Sequence, residues 1–271
     1  MSVLETMQPI LKEREEKYVP SLRVFRDYVD EMVAHKRWFK RDEILVKLLY
    51  LLGARVSEVV TKVTPYMVSH NMTHDYGKLL RTEIGFYNHR VEADGKLVTK
   101  QAPLLLIHSA IAKCKLHEEE QVETSPQTPQ QPPTLLVPMK VVAIPCSLIF
   151  EPWSRDLLHW INPTEHKDPR LSFDMVESNV QIIVKQCLAG LRDVDPKVTE
   201  IHPHMLRHWR VAHLRLNYHF TSIEECAYIG WSIRSQEARR GQTVSANLDT
   251  YSHLSWRDYI DKLLLPLSEA L

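Results

Sequence analysis

Glycine is scarce in this chain, and its placement excludes more folds than any other feature. Seven glycines occur among 271 residues, at positions 53, 77, 85, 95, 190, 230 and 241. None fall into the GxGxxG or GxxxxGK[ST] spacing that lets a backbone close around a phosphate. NAD or ATP chemistry on the usual scaffolds is therefore not expected. Two of the glycines act as punctuation instead: Gly53 closes an apolar run, and Asp94-Gly95 separates two strand-like runs.

Hydrophobic residues make up 44% and charged residues 25%, which is ordinary for a globular chain. Thirty-four Lys and Arg balance 34 Asp and Glu. That zero sum excludes a uniformly basic protein but conceals segregation. Residues 201–220 carry three arginines, five histidines and no acid, while residues 117–134 carry four glutamates and no Lys or Arg. The cysteines, at 114, 146, 187 and 226, form no CxxC pair, against a zinc ribbon or dithiol motif and in keeping with reduced thiols. The start of the chain reaches mixed charge at once, so no signal peptide is read there. The most apolar stretch, Thr134 to Phe150, is interrupted by Pro138, Lys140 and Pro145, which points to core rather than a membrane span. A soluble cytoplasmic protein is expected, with no membrane partner.

The local pattern is mostly helical. Asp42 to Leu52 is a dense apolar run with acids at its start and Gly53 at its end. Ser57 to Lys62 predicts a further helical turn, stopped by Pro65. Leu79 to Val91 and Lys96 to Leu106 predict a hairpin about Asp94-Gly95. Residues 117–134 are too rich in Glu, Pro and Gln to bury a core and predict a mobile loop. Helices are predicted over Asp174 to Leu188, His204 to Tyr218, from the Thr221-to-Glu224 capping box, and over Trp256 to about Leu265. The expected fold class is mainly α with a small antiparallel sheet, an α+β arrangement.

Three short segments carry the chemistry: Arg55-Val56-Ser57-Glu58, His204-Met205-Leu206-Arg207-His208, and Gly230-Trp231 with the later Tyr251-Ser252-His253. Taken singly, each has an ordinary explanation as surface charge or core. His204 and His208 stand at metal-binding spacing, but Met205 occupies the position of the HExxH glutamate, so no metal is expected. As an ordered set they describe phosphodiester chemistry. Two arginines can present bidentate donors to one phosphate. A tyrosine hydroxyl can attack phosphorus once a base takes its proton, a cost of about 4 kcal/mol at pH 7 for a free phenol. An indole N–H donates well to a phosphate oxygen.

This set resembles the tyrosine recombinase (phage integrase) family, whose boxes read Arg-x-Ser-Glu, His-x-Leu-Arg-His, Gly-His/Trp and Tyr-x-His. The resemblance spans roughly residues 42 to 255. It implies the family's breaking-rejoining fold and site-specific cleavage and rejoining of double-stranded DNA through a 3′-phosphotyrosine intermediate, without cofactor. In that reading Arg55 and Arg207 clamp the phosphate, His204 acts as acid or base, Trp231 donates to a phosphate oxygen and Tyr251 is the nucleophile. Glu58 and His208 support them. A catalytic lysine is implied on the hairpin before Ala102-Pro103-Leu104: Lys96 first, then Lys100, then Lys78. Arg210, Arg234, Arg239 and Arg240 are expected to reach DNA. A homotetramer on DNA, monomeric in isolation, is also implied. Type IB topoisomerases share the chemistry, so strand relaxation is the near alternative, and a DNA-binding relative that does not cleave is the more distant one.

The expected division is a short helical segment over 1–41, a catalytic domain over 42–255 and a C-terminal helix and tail over 256–271. That tail packs either on its own core or on a neighbouring protomer. Trp231 and Tyr251 stand twenty positions apart, farther than the family pattern, which leaves delivery of the tyrosine in cis or in trans open.

Overall fold

The computed structural model describes residues 18–69, 77–93, 95–110, 139–146, 151–161, 171–230 and 255–264. Among the described residues helices combine with one three-stranded antiparallel sheet, an α+β arrangement. Helix α1 (Leu22–Ala34) starts where the Ser21 side chain accepts a hydrogen bond from the Val24 amide. Its apolar face does not form a separate unit. Leu22, Phe25, Tyr28 and Val29 are buried in the same core as α2 (Lys40–Leu52). Phe25 sits 4.9 Å from the Tyr50 ring, 5.5 Å from Trp153 and 5.3 Å from Trp209, so one phenyl joins α1 to three other helices.

Helix α2 is buried from Asp42 to Leu52, and Gly53 caps it in the left-handed conformation at φ 53°. This central position takes charge inside. The Lys47 ammonium lies 2.8 Å from Glu43 and 2.5 Å from Asp156. Helix α3 (Val56–Val59) is a single turn, shorter than the predicted one. It stops because Val60 leaves to bridge Phe173. Helix α4 (Pro65–Ser69) follows.

Strands β1 (Leu79–Ala93) and β2 (Lys96–Ala110) form the expected hairpin, longer than its apolar pattern suggested. Strand β3 (Met139–Pro145) pairs antiparallel with β2 only from Leu104 to Ala110. The far half of the hairpin is therefore a two-stranded arm, with Phe86 and Leu97 exposed on it. Val142, Ala143 and Ile144 are fully buried, as the apolar run around them requires. On the open side of β3 the Tyr259 hydroxyl accepts from the Ala143 amide at 3.1 Å and donates to the Val141 carbonyl at 3.4 Å.

Helices α5 (Trp153–Trp160) and α6 (Glu177–Leu188) pack against α2, and α7 (Leu191–Val194) packs against α1. Helix α8 (Pro203–Asn217) opens on proline, and α9 (Ser222–Ile229) on the predicted capping box between Thr221 and Glu224. The predicted last helix is broken in two: a 3-10 turn over Trp256–Asp258, then α10 (Ile260–Leu263). Tyr259, Ile260, Leu263 and Leu264 bury themselves in the chain's own core. The acidic segment 117–134 lies outside the described residues.

Glu151, just before α5, is wholly buried and collects Arg26 of α1, Arg210 of α8 at 3.0 Å and the Tyr218 hydroxyl at 3.0 Å. Burial alone would raise its carboxyl pKa; Arg210 and Arg26 outweigh burial and hold it below the usual range. No helix among the described residues is long and apolar enough to cross a membrane.

Candidate active site

The site is built on the turn after α2. Because Gly53 adopts a left-handed conformation, the chain reverses within two residues and places Arg55 at the N-cap of α3. A side chain at Gly53 would also collide with Ile229, since its Cβ would lie 2.4 Å from the Ile229 Cδ1. The end of α9 is thereby seated against the same turn.

Helix α8 supplies the second arginine. Arg207 is buried, and its Nη1 donates to the Gly53 carbonyl. On the same helix the rings of His204 and His208 meet edge to face at 4.5 Å, and His202 lies nearly parallel to His204 at 6.5 Å. Burial lowers the pKa of His204 to about 4, helped by His208, Arg207, His202 and Arg55. At neutral pH this imidazole is uncharged, the form that can accept a proton. Despite three neighbouring histidines, no group of three or more possible metal ligands occurs among the described residues.

A lysine completes the cluster from the sheet. Lys140 of β3 is buried, lies 3.6 Å from Glu58 and donates to the Ile229 carbonyl at 3.0 Å. Burial lowers its pKa; Glu58 opposes that shift, while Arg207 and Arg55 reinforce it. The Glu58 carboxylate offsets this ammonium, so the two guanidiniums set the sign of the site. In the sequence Lys140 stands out only as an interruption of the apolar stretch Thr134 to Phe150. The available signal was that a charged residue amid buried neighbours needs a partner.

Arg55, Glu58, His204, Arg207 and His208 thus converge from separate elements. Other predicted residues fall elsewhere. Lys96 is exposed at the hairpin tip opposite Ala93, Lys100 is exposed on the arm opposite His89, and Lys78 is half-buried at the base. Among the described residues no hydrogen bond or ion pair links Lys96 or Lys100 to the arginines. Arg210, expected on DNA, is instead fully buried and bonded to Glu151 and the Tyr228 hydroxyl. Three residues beyond Arg207, it falls on the side of α8 that meets the core, where a guanidinium is a structural ion. Trp231, Tyr251, Arg234, Arg239 and Arg240 lie outside the described residues. Tyr228 and Tyr259 are both fully buried, with burial raising the Tyr228 phenol to about 12 and pushing Tyr259 higher still. Neither suits a nucleophile.

Comparison of the chain with protein-family models, curated proteins and solved structures finds no match.

Proposed function

We propose that this chain cleaves and rejoins DNA strands through a phosphotyrosine ester. The observation that carries the reading is the meeting of Arg55 and Arg207 at one turn, beside an uncharged His204. Two guanidiniums match the charge of a phosphodiester as it becomes a dianionic phosphorane, and stabilise that state more than the ground state. His204 takes the proton of the Tyr251 hydroxyl as its oxygen bonds to phosphorus. The bond from phosphorus to the 5′ oxygen breaks, and that oxygen takes up a proton from solvent. The ester stores the energy of the broken bond, so rejoining is the same path reversed. Spacing in the sequence selects Tyr251 as nucleophile, and the burial of Tyr228 and Tyr259 removes two competitors.

The test is a nicked duplex whose short 5′ fragment diffuses away after cleavage and traps the covalent adduct. The wild-type chain is expected to form an adduct and Tyr251→Phe none. Absence of adduct from wild type overturns the reading, and an adduct from Tyr251→Phe overturns the choice of nucleophile. Exchange of strands between two duplexes, against relaxation of one supercoiled circle, separates recombination from a topoisomerase activity.

A further inference from the structure

We infer that Lys140 is a positioning residue that keeps Glu58 from capturing the two arginines meant for the phosphate. The inference rests on the cleavage reading above and adds a role to a residue that the recombinase-like boxes do not contain.

Glu58 is buried with 3% of its surface exposed, one helical turn from Arg55. Its Oε2 has no hydrogen-bond partner among the described residues, and the Lys140 ammonium stands 3.6 Å from it. A buried carboxylate with an open oxygen seeks a cation. The charges of Arg55 and Arg207 are felt at Lys140 itself, so both guanidiniums lie within electrostatic reach of this pair. With Lys140 in place, Glu58 already has its counter-charge.

Lys140 is itself held tightly. Its Nζ donates to the Ile229 carbonyl at 3.0 Å, and its chain runs along Gly230, where a Cβ would lie 2.8 Å from its Cδ. Gly230 is left-handed at φ 76°, so the last turn of α9 opens just where the lysine passes. The ammonium is thereby fixed between α9 and α3, and it cannot swing out to meet a phosphate without leaving the Ile229 carbonyl. Its position suits a counter-ion.

The experiment measures single-turnover adduct formation on the nicked duplex, with affinity for an intact duplex and thermal melting alongside. Lys140→Met is expected to slow cleavage by about 100-fold or more, because the freed Glu58 carboxylate then pairs with a guanidinium. Adding Glu58→Gln removes that competitor, so the double variant is expected to recover to within about tenfold of wild type. A lysine that donated a proton, or one that only supported the fold, would show no such rescue. Lys140→Met cleaving at the wild-type rate, or a double variant no faster than Lys140→Met, overturns the inference. If Lys140→Met does not fold, the double variant decides alone, since it buries neither charge: a rate within tenfold of wild type supports the role, and a 100-fold loss overturns it. No adduct from wild type overturns the cleavage reading and this role with it, whereas adduct from wild type without rescue overturns this role alone.

Discussion

The Arg207 guanidinium donates to the carbonyl of Gly53, so the second arginine of the site is bonded to the very turn that presents the first. Arg55 and Arg207 are thereby spaced by one hydrogen bond between α8 and the end of α2. A planar fork can hold a carbonyl with one nitrogen and offer others to a phosphate in a fixed geometry, whereas a lysine ammonium is a single point charge without that fork. Arg207→Lys is expected to cut single-turnover cleavage about 100-fold, near 3 kcal/mol of transition-state stabilisation, while duplex affinity changes a fewfold. Equal losses in both would reduce Arg207 to a phosphate-positioning group.

His204 offers a direct spectroscopic check. Its imidazole is expected to titrate at about 4 by NMR, with burial the main cause and the neighbouring cations next. Arg207→Met removes one of those cations, which favours the protonated ring, so the midpoint should rise. It should stay below 6.5, because burial persists. A wild-type midpoint near 6.5 would show that the ring is solvated and not buried as described.

The buried knot around Glu151 sets a stability prediction. Glu151→Gln keeps the shape but leaves the Arg26 and Arg210 guanidiniums inside without their carboxylate. Breaking a buried ion set from one side costs about 3–5 kcal/mol. Urea unfolding at pH 7 should show a loss of that order; a change under about 1 kcal/mol would mean that water reaches the site.

His213 makes stability depend on pH. It is buried between the Tyr50 hydroxyl, 2.8 Å from its Nδ1, and the Pro20 carbonyl, 2.8 Å from its Nε2. The neutral ring fits both contacts when Nε2 donates and Nδ1 accepts. Burial lowers its pKa to about 4, against about 6.5 in the unfolded chain. The unfolded state therefore binds the proton first. The contribution of His213 is intact above pH 6.5 and is lost as pH falls from there to about 4. The difference in unfolding free energy between wild type and His213→Gln should change across that window and be flat above it. A difference independent of pH would refute the assignment.

Much of this architecture is written in local pattern. The αL stop at Gly53, the Asp-Gly hairpin and the Thr221–Glu224 box each depend on a few adjacent residues, and each forms where expected. The Arg55, Arg207 and His204 grouping could be read because its members carry an ordered spacing. Lys140, Glu151 and the burial of Arg210 could not, because their meaning comes from partners 59 to 125 residues away. A basic residue on a helix looks like a surface charge until the opposing carboxylate is placed. The split of the last helix has the same origin: Tyr259 turns away from helical geometry where its hydroxyl reaches β3.

That hydroxyl has a consequence for solubility. In the strand order β1-β2-β3, β3 is an outer strand, and its free amides and carbonyls could recruit a strand from another molecule. The Tyr259 phenol covers the Ala143 amide and the Val141 carbonyl, while α10 packs beside the same strand. The C-terminal segment thus guards this edge against pairing with another molecule, and its loss would bare the strand together with the core positions that Tyr259, Ile260, Leu263 and Leu264 fill.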